Sequence, residues 1–466
     1  MTHFKPMARG FAATCLVGLL FAVTVRAQPA TRTPVSSFRA GFYSHAINTL
    51  LDKAKSTSLG NDDLQVLGLS YMSRGAFFEQ MHLLQIAIGT RYYTRRDTSK
   101  GFVKIPINDY YLGRYLYEEA RYEEAIVRFK TVRAASALQA EIRQKAAIWQ
   151  EASLRRIDDK AGGPFAPVSG VTPESDPDVG LELAFAESRL DLSSTTPDNV
   201  HDGVAPGPDY RLVWFAARNR ALTPMIGGAE RLISSPRPDY TFSVDGSFDV
   251  NFYEPLLFDV LANADYTAAA AAFEQVTGSP ESATLGGICA YLIRDFDRSA
   301  SLLAGAGTER ASMYLSLIEN KDSSTAADRP PNGASPRTRF EWAALTGKHR
   351  ELLALVTADR SEVTKDRLTL QTVSAALAAA GAGQEVVDLI SVVIPAHRRD
   401  KDRIYPTLTA IETIAFLNMG DKDYRRVLDN LAGLIEAYPV VANVYDMLQG
   451  LAAPNGEYLV SQKRTG

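Results

Sequence analysis

The chain is poor in the residues that build covalent and metal-centred chemistry. It holds two cysteines in 466 residues, too few for a disulfide framework or a cysteine-built metal site. It holds six histidines. Five lie beyond the first thirty residues (His45, His82, His201, His349, His397), and none forms His-Glu-x-x-His or another pair at metal spacing. A nucleophile elbow, a Ser-x-x-Lys motif, a phosphate loop and a Gly-x-Gly-x-x-Gly after a strand are all missing. Asp176 and Asp178 lack the remaining ligands of a calcium loop. No catalytic residue, metal or cofactor is therefore assigned. Charge of one sign is also lacking: 50 Lys+Arg stand against 54 Asp+Glu, a net charge of −4. This gives no support to a nucleic-acid partner, which demands a strongly basic face. Hydrophobic residues at 46% and charged residues at 22% exclude a disordered chain, a collagen and a polytopic membrane protein.

Long uncharged runs are confined to the start. Lys5 and Arg9 precede Phe11–Val25, fifteen residues without a charge, and Val25-Arg26-Ala27 follows. The order basic, apolar, small is that of an export signal cleaved after Ala27. The run is short for a membrane span, which needs ~20 apolar residues, so no stable transmembrane anchor is expected after cleavage. Cys15 lies inside the run, which argues against lipidation. Loss of 1–27 removes three cations and no acid, leaving 47 against 54 and a charge of −7. It also leaves Cys289 alone, in the apolar run LGGICAYLI, where a buried small hydrophobe is expected. The expected location is periplasmic or secreted.

What the mature chain has in plenty is repetition. Residues 109–132 read DYYLGRYLYEEARYEEAIVRFKTV. Leu112-Gly113 open one helix, Ala120-Arg121-Tyr122 turn, and Ala125 and Phe129 lie four apart on the next. Residues 64–87 offer Leu67, Gly68, Tyr71, Gly75 and Phe77, with Gly68 to Phe77 spaced as Gly113 to Tyr122. The same grammar gives Phe42, Ala46 and Leu50, then Tyr266, Ala269 and Phe273, then Gly287, Tyr291, Phe296 and Leu303. Weaker hairpins turn at Gly347, near Gly381–Gly383 and at Gly420, and a last helix near Tyr438–Leu451 caps the array. This pattern resembles the tetratricopeptide repeat (TPR) family, in which Gly and Ala admit close helix approach and large residues fill the space between hairpins. The resemblance covers about two thirds of the mature chain. It implies an all-α fold, a right-handed α-solenoid with a concave groove, and by family habit a protein- or peptide-binding scaffold. By family geometry Tyr110, Arg114 and Tyr117 lie on the helix that lines that groove, where each either faces a partner or packs between hairpins.

The array is interrupted. Segment 89–106 carries Arg91, Arg95, Arg96, Lys100 and Lys104 against Asp97, with Tyr92, Tyr93 and Phe102 among them. It reads as a solvated loop or as a basic-aromatic contact surface for an acidic partner, a cell-wall polymer or lipid headgroups, with Tyr92, Tyr93, Arg95 and Arg96 as its candidate residues. Segment 158–209 holds seven prolines, and between Asp158 and Asp202 ten acids oppose two bases. That composition is a linker or surface loop, in which GLELAFAESRLDL suits a short strand or helix. YRLVWFAARNRAL and PMIGGAERLI look like another helix pair, and 239–253 alternate about Asp245-Gly246 as a β-hairpin. Residues 320–338 form a polar loop.

The expected division is a signal (1–27), an N-terminal helical block (28–157), an acidic insertion (158–209), a helix pair, hairpin and repeats (210–319), the polar loop (320–338) and C-terminal hairpins (339–466). The expected function is a non-catalytic scaffold for a protein or peptide partner in a bacterial cell envelope. A peptidoglycan- or carbohydrate-binding module using 89–106, and an enzyme assembled from distant residues, are the alternatives.

Overall fold

In the computed structural model the described residues are 32–98, 106–158, 255–320, 330–331, 333–394, 403–420 and 424–452, with isolated positions between 170 and 249. The expected signal, the expected helix pair after residue 210 and most of the acidic insertion lie outside them. Pro34–Gly466 is one compact unit. The described residues are all-α, with eighteen α-helices. Beside these, Ser243 pairs antiparallel with Asp249, and Val244 with Phe248; the rest of segment 239–253 is outside the described residues. Among the described residues no helix is long and apolar enough to cross a membrane.

Short hairpins are the recurring unit. Pro34–Ala40 (α1) and Tyr43–Ala54 (α2) form the first, Pro106–Glu118 (α4) and Tyr122–Ala134 (α5) the next, with Ala140–Ile157 (α6) packed on α5. Later come Pro280–Leu292 (α8) with Phe296–Ala304 (α9), Glu309–Glu319 (α10), and Pro336–Leu345 (α11) with His349–Ala358 (α12). Arg360–Lys365 (α13), Arg367–Ala379 (α14) with Gly383–Val393 (α15), Pro406–Asn418 (α16) with Tyr424–Ile435 (α17), and Ala442–Ala452 (α18) complete the order.

One turn chemistry serves five of these hairpins. A residue in the left-handed region ends the first helix, and the next residue caps the second. In α4–α5, Ala120 has φ 59°, its amide donates to the Tyr117 carbonyl at 3.0 Å, and the Arg121 amide donates to the Leu116 carbonyl at 2.9 Å. The same pair of bonds recurs at Gly41, Arg294, Gly347 and Gly381. This is the Schellman closure, which satisfies the last carbonyls of a helix. Packing repeats as well. A Cβ on Gly113 would lie 2.7 Å from the Phe129 ring, and one on Gly287 would lie 2.5 Å from Leu303. Both partners are sixteen residues downstream, so only glycine permits the hairpin to close.

The two remaining helices break this rule and organise the others. Asn61–Thr98 (α3) is a single helix of 38 residues, about 57 Å long at 1.5 Å per residue. Pro255–Glu274 (α7) is likewise continuous. The hairpin expected within 64–87, with its turn after Gly75, is therefore overturned, as is a turn before Tyr266. Gly75 occupies the position equivalent to Ala120, yet it stays helical. Its missing side chain serves a neighbour: a Cβ there would lie 3.1 Å from the Tyr266 ring. One on Gly68 would lie 2.8 Å from Phe273. Gly68 and Gly75 are seven apart, and so are Tyr266 and Phe273. The two helices thus run antiparallel in one register, with Asn61 reaching Thr277 at one end and Phe78 meeting Phe258 further along. The helix that Gly68 accepts is supplied about 200 residues later, not by the following turn.

Polar groups lock the pair. Arg74 is fully buried and donates from Nε and Nη2 to the two carboxylate oxygens of Asp265, each at 2.8 Å. Nη1 donates to Ser44 at 3.0 Å. Removing one partner of such a pair costs about 3–5 kcal/mol, because the other charge is left buried. Beside it the Tyr266 hydroxyl donates to Glu79 at 2.7 Å.

The remaining helices hang from α3. From α7 each helix or hairpin packs on the next through α8, α9, α10, α11, α14 and α16, and α16 and α18 pack back on α3. The first hairpin joins the last helices: the Ile404 amide donates to the Ala40 carbonyl at 2.8 Å, and the buried Tyr438 hydroxyl donates to the Gly41 carbonyl at 2.8 Å. Cys289 is fully buried in α8, and burial pushes its thiol pKa up.

Two outcomes follow from the α3–α7 pairing. Gly68→Val destabilises the chain by about 2–3 kcal/mol in urea unfolding. A double-mutant cycle of Gly68→Val with Phe273→Leu shows about 1–2 kcal/mol of coupling, and a cycle with Leu84→Ala shows none beyond about 0.5 kcal/mol. The second outcome concerns pH. Burial raises the Glu79 carboxyl pKa, against the lowering effect of the Tyr266 hydrogen bond, and Asp259 adds to the rise. The folded state then holds a proton that the unfolded state has released above its ordinary value of 4.5. Stability from this group is present below that value and falls as pH rises through the raised one. Glu79→Gln removes the loss, so its advantage over the unaltered chain, read from urea unfolding, grows from pH 4.5 to 7.

Candidate functional site

Residues 89–98 are the last turns of α3, with Thr94, Asp97 and Thr98 exposed and the two tyrosines turned inward. Tyr92 and Tyr93 are buried at 5% and 2% exposure. The Tyr93 ring stacks on Tyr115 at 5.9 Å and contacts Tyr111. Gly89 makes the room, since a Cβ there would lie 2.4 Å from the Tyr115 ring. Arg95 donates to the Leu451 carbonyl at 2.5 Å, and Arg91 to Asn418 Oδ1 at 3.1 Å. The expected basic-aromatic contact surface is therefore overturned for Tyr92 and Tyr93. The Tyr93 face is spent on packing α3 against α4, which a helix continuing past Gly89 brings within reach, and the buried Tyr92 ring meets Tyr93 edge-on at 5.1 Å. The Arg96 side chain, Lys100, Phe102 and Lys104 lie outside the described residues.

Tyr110, Arg114 and Tyr117 do come together, on one face of α4. Their spacing of four and three residues puts them on successive turns. All three are buried, Arg114 completely. They share a recess with Trp149 of α6. The Arg114 guanidinium lies 3.6 Å from the Trp149 ring centroid, and the Tyr117 ring meets Trp149 edge-on at 4.9 Å.

A carboxylate fills the recess. Glu182, from the acidic insertion, accepts from Arg114 Nη1 at 2.7 Å, from Trp149 Nε1 at 2.6 Å and from the Tyr110 hydroxyl at 3.1 Å. Val179, Glu182, Leu183 and Ala186 are helical, and Val179 and Ala186 are fully buried. Positions 179, 182 and 186 share one helix face. The insertion is thus no plain surface loop at these residues. Three donors, one charged and one held by an indole ring, make a strong and geometrically selective carboxylate site.

A second concavity of about 280 Å³ lies among α8, α10 and α11, lined by Thr284, Thr308, Arg310, Ser335, Arg337 and Thr338, with Glu281, Leu285 and Glu309. The helices around it start alike. Ser279, Thr308, Ser335 and Asp366 each accept from the backbone amide three residues on, the N-cap geometry that satisfies an orphan donor. Its arginines are held by acids of the chain. Arg310 Nε donates to Glu341 at 2.8 Å and Nη2 to Asp366 at 3.1 Å, and Arg337 lies 2.7 Å from Asp366. The capped helix starts thus line a cleft whose two arginines face carboxylates of the chain.

The sequence reading missed Trp149, Glu182, the Arg74–Asp265 pair and the cap series. Glu182 had one signal: Val179, Glu182 and Ala186 fall in helical phase inside an otherwise Pro- and Asp-rich stretch. No protein-family model matches the chain, and no curated protein matches it.

Glu182→Ala removes the carboxylate and leaves Arg114 facing an apolar contact. Amide hydrogen exchange at Val179, Leu183 and Ala186 then speeds at least tenfold, whereas exchange in α3 and α7 stays within twofold.

Proposed function

We propose that the chain is an exported, non-catalytic TPR-type scaffold that binds protein or peptide partners in a bacterial cell envelope. The observation that carries this reading is the recess on α4. Tyr110, Arg114 and Tyr117, the residues that line the groove by family geometry, surround a carboxylate brought from a distant part of the chain. That is peptide recognition performed within one molecule. The helix hairpins support the family reading through the Gly113–Phe129 and Gly287–Leu303 contacts at equal spacing and through the recurring turn closure. A right-handed α-solenoid, with one unit split between α3 and α7, is the arrangement this reading assigns. On this reading the hairpin about Asp245-Gly246 lies in the 210–319 block, after the acidic insertion and before the later repeats. On this reading the first 27 residues are an export signal, and the scaffold is periplasmic or secreted.

Two measurements test the reading. A phosphatase reporter fused after residue 60 is active only when exported, and replacing Leu19 and Leu20 with Arg abolishes that activity. Cross-linking of intact cells, read by mass spectrometry, gives reproducible links from the exposed Lys130 or Lys365 to another envelope protein. Finding links only within the chain itself contradicts a scaffold.

A further inference from the structure

The first hairpin meets the later helices at a seam where cations gather without acids. The Ile404 amide donates to the Ala40 carbonyl at 2.8 Å, and the Tyr43 amide donates to the Tyr438 hydroxyl at 3.2 Å. The Tyr43 side chain is fully buried. Its hydroxyl accepts from Nη2 of Arg367, the first residue of α14, and the Arg367 guanidinium carbon lies 5.8 Å from the centre of the same ring. Arg403 precedes the start of α16, with its guanidinium carbon 4.9 Å from the Tyr405 ring centre. Burial raises the Tyr43 hydroxyl pKa, and the charges of Arg367 and Arg403 each pull it down, so both cations act on one phenol. Arg39, exposed, adjoins the Ala40 carbonyl that Ile404 meets.

The acids around the start of α14 are already taken. Asp366 accepts from Thr369 and pairs with Arg310 and Arg337. Glu341 pairs with Arg310, and Glu362 with Lys365. Among the described residues Arg39, Arg367 and Arg403 form no ion pair. Elsewhere the chain answers its inward arginines: Arg74 has Asp265 and Arg114 has Glu182. A chain of net charge −4 thus leaves three guanidiniums unanswered at one seam. Their position adds to the local charge. Arg367 opens α14, where a cation faces the positive end of the helix dipole. At the start of α16, Tyr405 supplies no side-chain cap.

We propose that Arg367 and Arg403, with Arg39 beside them, bind a phosphate group, free or as a monoester, at the seam of α2, α14 and α16. Such a group carries a charge of about −1.5 to −2 and three strong acceptor oxygens. That is enough to meet two guanidinium forks from different elements, whereas one fork already saturates a carboxylate. Arg367 is preset for the task, because Tyr43 holds one of its N–H groups and leaves the others for a ligand. A bound phosphate ties the starts of α14 and α16 together, and by linkage it stabilises the folded chain. The site goes beyond the scaffold reading and does not depend on it.

The test uses residues 28–466, which contain the compact unit Pro34–Gly466, titrated by calorimetry with inorganic phosphate at fixed ionic strength, with chloride as the reference. The expected result is saturable binding, weakened at least fivefold by Arg367→Gln and by Arg403→Gln. Arg350→Gln removes an equal charge from an exposed position of α12 and leaves binding within twofold. Arg403 is exposed, so its variant keeps the fold, which circular dichroism checks. Flotation with vesicles containing phosphatidic acid, against phosphatidylcholine alone, separates the two sources. Flotation that Arg403→Gln abolishes assigns a lipid headgroup, and phosphate binding without flotation assigns a soluble phosphate. Absence of saturable phosphate binding overturns the proposal. So does binding that Arg350→Gln weakens as much as Arg403→Gln, because general charge attraction then accounts for it. Either failure leaves the scaffold reading as it stands.

Discussion

The architecture rests on one helix pair. α3 and α7 meet through two glycine notches filled by two aromatic rings, and the buried Arg74–Asp265 pair fixes their register. The ion pair alone is a poor source of stability, because desolvating two charges offsets much of their attraction. Its worth here is specificity. Any shift of α7 along α3 strands two buried charges and drives Phe273 and Tyr266 against positions without a notch. Apolar packing supplies the attraction, and the charges restrict it to one register.

From that constraint the placement of the recess follows. α3 continues beyond α7 far enough for Gly89 to receive Tyr115 and for Tyr93 to pack on Tyr111 and Tyr115. This seats α4 on one face of α3. Packing thus consumes the Tyr115 side of α4 and turns the helix so that Tyr110, Arg114 and Tyr117 meet Trp149 of α6. The same α3 carries α16 and α18 on other faces, and Arg91 and Arg95 tie its last turns to those helices. Arg91 and Arg95 act as internal fasteners. A fully buried arginine in the recess is tolerable because a carboxylate, an indole ring and a phenol surround it.

Much of the fold is legible in local sequence, for a physical reason. The hairpins at Ala120, Arg294, Gly347 and Gly381 close through contacts within about twenty residues, so spacing reveals them. The α3–α7 pair is illegible for the opposite reason. Gly68 and Gly113 carry the same local pattern, but nothing near Gly68 states that its aromatic partner is Phe273. Gly75 stands where Ala120 stands, and a glycine fits a left-handed turn and a helical notch equally well; the ring that approaches it decides. The site divides in the same way. The helical phase of Tyr110, Arg114 and Tyr117 is readable along α4, whereas Trp149 and Glu182 join them only through tertiary packing. Tyr92, Tyr93 and Arg95 look like a surface because cations interleave with aromatics, yet two faces of one long helix separate them: the tyrosines go inward and the arginines reach carbonyls and amides of neighbouring helices.

One pair, locked at Arg74–Asp265, holds the first and last described helices in place. Hydrogen exchange followed by mass spectrometry on Asp265→Asn tests it most directly. The account predicts that protection falls together in α4, α16 and α18, by the same factor within about threefold, because all three pack on α3. Loss of protection confined to residues 255–274 would contradict it, and would mean that the two ends are held independently of the pair.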